Sequence, residues 1–196
     1  MKAAAIILSG GKSSRMGTNK ALLTINEQTN IERMADQLKT HFEELILVTN
    51  EPQDYQFLRL KTVTDQYPGM GPLAGLHAGL RASNYEVNFV AACDMPFLSG
   101  ELARVLLNKI ADFDAVVPVI AGRQQPLFAV FQKRITKQVE QCIKRGELRM
   151  LELLTKLNIC YLTEKELQIP NLKRSFFNMN NPSEYETAKK WARSNE

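Results

Sequence analysis

The sequence is poor in the residues that build metal centres and disulfide frameworks. It has only two histidines, His41 and His77, which excludes a metal site made of several histidines and leaves few candidates for a catalytic one. Its three cysteines, Cys93, Cys142 and Cys160, lie far apart and have no CxxC spacing. They therefore predict buried thiols, and neither a disulfide framework nor a zinc site.

Long apolar runs are also missing, since no stretch approaches the roughly 18 residues that span a bilayer. The apolar run at residues 3–8 is shorter than the core of a signal peptide, and no small-residue cleavage site follows it. We therefore expect a cytoplasmic protein with no membrane partner. Internal repeats, low-complexity tracts and long linkers are absent from the sequence too, so we expect a single domain over residues 1–196.

The charge is nearly balanced, with a net value of +4 at pH 7. This value suits a protein that handles phosphate esters as well as one that binds nucleic acid. Basic residues are concentrated between Lys133 and Lys156, where a solvated helix face is the usual explanation. A surface that guides an anionic substrate or a partner protein is the second hypothesis. Nucleic acid ranks third because no aromatic residues interleave with these charges, and we predict no nucleic-acid partner.

Through the first 120 residues, short apolar segments alternate with segments whose apolar residues recur at helical spacing. The predicted strands cover residues 3–8, 45–49, 61–64, 87–92 and 115–119, and the predicted helices cover residues 29–41, 72–82 and 98–110. Because each strand is continuously apolar, the pattern indicates an α/β fold with a parallel sheet that is covered on both faces.

The alternation of predicted strands and helices changes after residue 120. Residues 127–131 form a predicted strand that comes too soon for a crossover helix, so we expect it to pair antiparallel or to join a separate ribbon. The remaining predictions are helices at residues 135–144, 148–157 and 182–193 and short strands near residues 159–162 and 175–177. The central sheet is therefore expected to be mixed.

The residues that follow the first predicted strand, SGGKSSRMG, predict a phosphate-binding loop. Glycines let backbone N–H groups approach an anion, hydroxyls add donors, and Arg15 and Lys20 supply positive charge. The loop is not a Walker A motif, which would need a glycine where Ile6 stands inside the strand. A plain turn with solvated charges is the alternative.

Three further polar residues follow the next predicted strands: Asn50, Asp65 and Asp94. Ligands of parallel α/β sheets lie at the carboxyl ends of the strands, so these side chains are candidates for the same site. Asp94 offers a hard oxygen ligand opposite the phosphate loop, which is how Mg²⁺ is commonly held beside a nucleotide. A capped strand end is the simpler interpretation of an isolated aspartate.

A rival site is indicated by residues 69–74, GMGPLA, which fit GxGxxA before a helix. Asp94, at the end of the next strand, would then bind the ribose of a dinucleotide. Against this, Pro72 removes a backbone donor where the pyrophosphate should bind, and the first loop would have no role. The dinucleotide site ranks second.

Taken together, the motifs resemble those of a known family. In order they are LSGGKSSRMGTNKALL, TDQYPGMGPLAGL, AACDMPFL, RQQPLFAVF and FNMNNPSEY. Over residues 4 to about 185 the chain is similar to the molybdenum cofactor guanylyltransferases of the MobA type. The first motif alone is typical of the wider nucleotidyltransferase superfamily. The segments GPLAG, CDMP and the late NxN narrow the resemblance to the MobA type.

The resemblance implies a fold and an activity. The fold is a Rossmann-like three-layer α/β/α sandwich with a mostly parallel, mixed sheet, with a nucleotide-binding half at about residues 1–120 and a pterin-binding half at about residues 121–196. The activity is transfer of GMP from GTP to molybdenum-bound molybdopterin, with Mg²⁺ as cofactor and release of pyrophosphate. Molybdoenzymes that receive the product are further expected partners. A cytidylyltransferase, another small-molecule nucleotidyltransferase and a non-catalytic molybdopterin carrier are the alternatives.

The resemblance also implies roles for individual residues. Arg15, Lys20 and Asp94 would be catalytic, with Asp94 as the metal ligand. Nucleotide contacts would come from Leu8, Ser9, Gly10, Gly11, Lys20, Asn50, Asp65, Gly75 and Asp94. Asn178 and Asn180 would contact the pterin. The chain departs from the usual NxNTP pattern because Asn181 replaces threonine. Either residue caps a helix well, so we predict that Asn181 is the N-cap of the last helix.

Overall fold

The structure is a computed structural model that describes residues 1–10 and 19–194. Its strands are β1 (Ala4–Leu8), β2 (Thr24–Ile25), β3 (Gln28–Thr29), β4 (Glu44–Val48), β5 (Lys61–Val63), β6 (Val87–Ala92), β7 (Ala115–Ile120), β8 (Arg123–Gln124), β9 (Phe128–Gln132) and β10 (Ile159–Thr163). Its α-helices are α1 (Asn30–Lys39), α2 (Pro72–Ala82), α3 (Gly100–Leu107), α4 (Thr136–Lys144), α5 (Met150–Leu154), α6 (Glu164–Leu167), α7 (Leu172–Ser175) and α8 (Pro182–Arg193). Within the described residues, 3-10 helices occupy Lys20–Leu22, Pro52–Leu58 and Lys133–Ile135.

The main sheet has the strand order β10-β7-β9-β6-β1-β4-β5, and β8 pairs with β7 at its margin. Strand β1 pairs in parallel with β4 and β6, so that Leu8 lies opposite both Val48 and Ala92. This register brings the carboxyl ends of three strands to one edge of the sheet. Strand β9 is antiparallel to both β6 and β7, which confirms the predicted antiparallel pairing and excludes a separate ribbon.

Helices cover both faces of the sheet, as predicted for a three-layer sandwich. Along β1 the side chains alternate between two hydrophobic cores: Ile7 belongs to the core that includes α1 and α3, and Ile6 to the core that includes α2, α4 and α5. Both isoleucines are completely buried. Since neither face of the strand meets water, the strand shows a continuous apolar run in place of alternation. The described helices include none long and apolar enough to cross a membrane.

The predicted strand at residues 175–177 is wrong. Helix α7 ends at Ser175, and the chain then turns, with the Phe177 N–H donating to the Arg174 carbonyl at 3.1 Å. The two phenylalanines at this turn pack against other aromatic rings. The centroid of the Phe176 ring lies 4.7 Å from that of Phe128, and the centroid of the Phe177 ring lies 4.9 Å from that of Trp191. A short apolar run reports burial alone and does not distinguish a strand from a packed turn.

The small hairpin formed by β2 and β3 was not predicted. Its turn residues Asn26 and Glu27 have positive φ angles of 48° and 63°, as a tight two-residue hairpin turn requires. Thr29 ends the hairpin and also caps α1, where its side chain and that of Glu32 form a reciprocal capping box. The cysteines are free, with Cys142 buried as predicted and Cys93 and Cys160 only partly buried.

Candidate active site

The candidate site lies at the sheet edge where β1, β4 and β6 end. Two backbone hydrogen bonds join the residues that leave these strands: the Ser9 N–H donates to the Val48 carbonyl at 2.8 Å, and the Cys93 N–H donates to the Leu8 carbonyl at 3.0 Å. Leu8 and Ser9 are therefore held beside the segment that carries Asp94. The predicted convergence of strand-end residues from separate parts of the sequence is present in the structure.

Lys20 is a cation at this edge of the sheet. Asn19 caps the 3-10 helix that begins at Lys20 by accepting the Ala21 N–H at 3.1 Å. The Lys20 Nζ donates to Asn180 Oδ1 at 2.7 Å and lies 3.9 Å from Asp94 Oδ2. An amide and a carboxylate, both distant in sequence, thus flank one ammonium group.

The charge of the Asp94 carboxylate is unfavourable in its buried environment. Burial raises the pKa of its carboxyl group, the positive charge of Lys20 offsets part of this effect, and Glu184 adds to the increase. The Lys20 contact at 3.9 Å is longer than a hydrogen bond. Because the described residues compensate the negative charge of Asp94 only in part, an added cation would bind favourably beside it.

The late NMNNP segment lies against Asp94. The Met179 N–H donates to the Asp94 carbonyl at 2.9 Å, which fixes the segment beside the end of β6. The Asn180 N–H donates to Glu184 at 2.5 Å, so the first turn of α8 supports the residue that contacts Lys20. Asn178 Oδ1 is buried and has no hydrogen-bond partner among the described residues. Of the two predicted pterin residues, Asn180 therefore contacts the predicted catalytic residue Lys20, and Asn178 directly precedes the residue bonded to Asp94.

Asn181 occupies the cap position that the sequence predicts. Its Oδ1 accepts the Glu184 N–H at 2.9 Å, and Pro182 follows in the first turn of α8. The replacement of threonine by asparagine therefore preserves the cap.

Asn50 and Asp65 face each other at the ends of β4 and β5. Asn50 Nδ2 donates to Asp65 Oδ2 at 2.7 Å, and the Asp65 N–H donates back to Asn50 Oδ1 at 3.3 Å. Asp65 also accepts the Tyr67 N–H at 3.1 Å. The two predicted nucleotide residues form one polar pair on the neighbouring strands.

Gly75 lies directly over Leu8. A Cβ atom placed at Gly75 would come within 3.2 Å of Leu8 Cδ2, so the absence of a side chain lets α2 pack closely on the end of β1. Gly71 precedes the helix with a φ of 68°, a conformation that favours glycine, and Pro72 starts the helix. Gly71 therefore allows the turn that begins α2, and Gly75 allows α2 to pack against β1.

The strand order excludes the rival dinucleotide site. In a dinucleotide-binding unit the glycine-rich turn and the ribose-binding acid lie on adjacent parallel strands. Here β4 and β1 lie between β5 and β6, so the strand before GMGPLA is not adjacent to the strand that carries Asp94.

Sequence reasoning missed Tyr55, which lies beneath the site. Its hydroxyl is 2.6 Å from Ser9 Oγ and accepts the Asn19 Nδ2 donor at 2.8 Å. A single tyrosine in the polar segment EPQDYQ, directly after Asn50, was the available clue. Among the predicted residues, Gly11 and Arg15 lie outside the described part of the chain.

Residues 5–158 match the family model of the MobA-like NTP transferase domain. The chain belongs to this family.

Its relatives in the MobA-like family share most of its length. A probable molybdenum cofactor guanylyltransferase of Pelotomaculum thermopropionicum is 35% identical over 185 residues, which cover 94% of this chain and 90% of the relative. A molybdenum cofactor guanylyltransferase of Desulfosudis oleivorans is also 35% identical, with 93% and 92% covered. The crystal structure of molybdopterin-guanine dinucleotide biosynthesis protein A from Archaeoglobus fulgidus superposes with a TM-score of 0.85 at 26% identity, covering 97% of this chain and 99% of that one. These matches confirm the predicted resemblance and the fold.

Proposed function

We propose that this protein is a molybdenum cofactor guanylyltransferase, which transfers GMP from GTP to molybdenum-bound molybdopterin and releases pyrophosphate. The observation that carries the proposal is the placement of Lys20 between Asn180 and Asp94 at the sheet edge. Nucleotidyl transfer is favoured by positive charge at the reacting phosphates and by a carboxylate that can hold Mg²⁺ beside them, and Lys20 and Asp94 offer these two groups. The names of its relatives supply the substrate class.

The nucleotide would lie across the ends of β1, β4 and β5. The backbone around Leu8 to Gly10 and the segment that includes Gly75 would lie beside the nucleoside, and the paired side chains of Asn50 and Asp65 would offer hydrogen bonds to it. Lys20 would neutralise the triphosphate, with Arg15 and Gly11 as further predicted contacts.

The acceptor phosphate would attack the α-phosphorus of GTP in line with the leaving pyrophosphate. A phosphate monoester is already ionised at neutral pH, so the protein needs no general base. Its contribution is to orient the two substrates and to neutralise their charge. Lys20 suits this role because its side chain is only 18% exposed, so that little solvent screens its charge.

The residues at the site fit a Mg²⁺ ion. Within the described residues, no three or more acidic, histidine or cysteine side chains come together as a closed metal site. Mg²⁺ beside nucleotides typically takes one or two protein carboxylates, and phosphate oxygens and water complete its shell. Asp94 would be the protein ligand, and the bound ion would neutralise charge that develops on the phosphates.

Asn178 and Asn180 would contact the acceptor. Each amide can donate and accept, which matches the edge of a pterin ring and its phosphate. The buried, unpartnered Oδ1 of Asn178 supports this role, because a ligand N–H would satisfy it. We also propose that the enzyme acts in the cytoplasm and passes its product to molybdoenzymes.

The proposal is tested by incubating the protein with GTP, Mg²⁺ and molybdenum-loaded molybdopterin. We expect chromatography to show the guanine dinucleotide and an equal amount of pyrophosphate. Parallel reactions with CTP, ATP and UTP test the base, and preference for CTP would indicate a cytidylyltransferase. Binding of molybdopterin without any nucleotide transfer would indicate a carrier protein and overturn the enzymatic assignment.

A further inference from the structure

Tyr55 is a buried polar residue for which the proposed reaction has no direct use. It lies in the 3-10 helix between β4 and β5, its side chain is 2% exposed, and its ring belongs to the core that includes α1 and α3. Phenylalanine would fill the same space without bringing a hydroxyl out of water. A buried hydroxyl is unfavourable unless it is hydrogen-bonded, so its bonds indicate its purpose.

The hydroxyl joins two separate segments of the chain. Asn19 Oδ1 accepts the Ala21 N–H, which fixes the amide orientation and leaves Nδ2 to donate to the phenol oxygen at 2.8 Å. The phenol proton is then available to Ser9 Oγ at 2.6 Å. Burial raises the pKa of Tyr55, so the phenol keeps this proton at neutral pH.

Both segments carry groups of the proposed nucleotide site. Ser9 directly follows β1, and its N–H is bonded to the Val48 carbonyl. Asn19 directly precedes Lys20, whose Nζ donates to Asn180 Oδ1 at 2.7 Å. One hydroxyl therefore fixes the separation between the end of β1 and the start of the helix that carries the cation.

We infer that Tyr55 is a positioning residue that holds Ser9 and Lys20 at the spacing needed to bind a nucleoside triphosphate. The inference rests on the proposed function. Tyr55 is almost inaccessible, so it touches no substrate and acts through the two side chains that it bonds, Ser9 and Asn19. Its loss should therefore weaken triphosphate binding and leave acceptor binding unchanged.

The first test compares Tyr55→Phe with Tyr161→Phe. Tyr161 lies on β10, at the sheet edge opposite β5, and is 41% exposed, so the same chemical change is made far from the site. Isothermal titration with GTP and Mg²⁺ should give a dissociation constant about tenfold higher for Tyr55→Phe, equivalent to about 1.4 kcal/mol. Tyr161→Phe should match the wild type. In turnover, the KM for GTP should rise while the KM for molybdopterin stays constant.

The second test uses Asn19→Ser and a double-mutant cycle. Serine is a good N-cap, so the helix start is retained, but its short side chain cannot reach Tyr55. If both residues act through one hydrogen bond, Tyr55→Phe combined with Asn19→Ser should weaken GTP binding no more than the larger single effect. Additive losses would overturn the inference, and so would equal losses for both substrates, which indicate a general structural role.

The controls separate this inference from the proposed function. If the wild type binds and turns over GTP while Tyr55→Phe binds it equally well, the positioning role is wrong and the guanylyltransferase proposal stands. If the wild type binds none of the four nucleoside triphosphates, both are overturned. If Tyr55→Phe does not fold, Asn19→Ser alone decides, and unchanged GTP affinity there rejects the inference.

Discussion

Two aspartates at opposite ends of the sheet differ in how well the fold satisfies their charge. The side chains of Asp94, after β6, and Asp114, before β7, are 22% and 23% exposed. Burial acts to raise the pKa of both. At Asp114 the Asn158 N–H at 2.9 Å and Arg134 Nε at 2.8 Å outweigh burial and lower the pKa. At Asp94 the Lys20 ammonium, at 3.9 Å, does not outweigh the effect of burial, so the pKa of Asp94 is raised.

The difference separates a structural carboxylate from one available to a ligand. Asp114 has its partners within hydrogen-bond distance and ties β7 to the segments around it. Asp94 has a similar exposed fraction but is enclosed more deeply by the protein, and the nearest cation among the described residues lies beyond hydrogen-bond distance and is itself bonded to Asn180. A buried charge that the described residues leave undercompensated is typical of a site that completes its interactions with substrate or metal.

The largest expected effect contrasts the activities of Asp94→Asn and Asp114→Asn. Removing the charge of Asp94 should reduce turnover by about 100-fold or more, because an amide would hold the proposed Mg²⁺ ion at the reacting phosphates far less well than a carboxylate. Asp114→Asn should keep near wild-type turnover. Pyrophosphate release measures both, and circular dichroism checks that each variant is folded. Equal turnover in the two variants would remove Asp94 from the mechanism.

A smaller loss of activity is expected for Asn180→Ala. The substitution removes the 2.7 Å partner that holds Lys20 beside Asp94, but leaves both charges in place. We expect kcat/KM to fall by about tenfold, the usual scale for one hydrogen bond to a charged group. Asn181→Ser is the adjacent control, since serine keeps the cap of α8 and should retain full activity. A similar loss in both variants would indicate that the whole segment, and not the Lys20 contact, matters.

The same two aspartates should have opposite effects on stability. Because the folded-state pKa of Asp94 is raised, its ionisation destabilises the fold as pH rises through and above the ordinary value of 3.8. Asp94→Asn should therefore increase Tm at pH 7 by a few degrees, and the gain should disappear below the ordinary pKa. Asp114, with a lowered pKa, contributes stability above its ordinary value that is lost as pH falls through the folded value.

Asp114→Asn should accordingly lower stability by about 1 kcal/mol at pH 7, and the difference should vanish in acid. Thermal unfolding from pH 3 to pH 8 measures both variants on one scale. A decrease in Tm at neutral pH for Asp94→Asn would mean that Lys20 compensates the charge fully, and the contrast between the two aspartates would fail.

The sequence predicted the parts of the molecule that depend on local pattern. Continuous apolar strands indicated a sheet covered on both faces, and the strand ends located Ser9, Asn50, Asp65 and Asp94 at one edge. The contact between Lys20 and Asn180, which are 160 residues apart, has no local pattern and was reachable only by resemblance. Local spacing also fitted a dinucleotide site at residues 69–74, which ranked second, and only the strand order, which no motif encodes, excludes that site.

Tyr55 shows a second limit of local patterns. A buried tyrosine and a buried phenylalanine give the same apolar pattern, and only the positions of Ser9 and Asn19 reveal what the hydroxyl does. The error at residues 175–177 has the same origin, since ring packing and strand pairing both favour aromatic residues. Patterns identify burial well, but partners must be located in three dimensions.

The smallest expected effect concerns the basic surface between Lys133 and Lys156. Two of its lysines are paired locally: Lys144 Nζ lies 2.8 Å from Glu140 one helical turn away, and Lys156 is bonded to Glu147. Exposed pairs of this kind contribute little to stability, and a lysine that is already paired with a carboxylate adds little to the field that a distant substrate meets. We expect Lys144→Ala to change Tm by less than about 1 °C and to leave the KM for molybdopterin unaltered at low and at physiological salt. A salt-dependent rise in that KM would instead mean that the surface guides the anionic acceptor, and that locally paired charges contribute to function as the undercompensated Asp94 does.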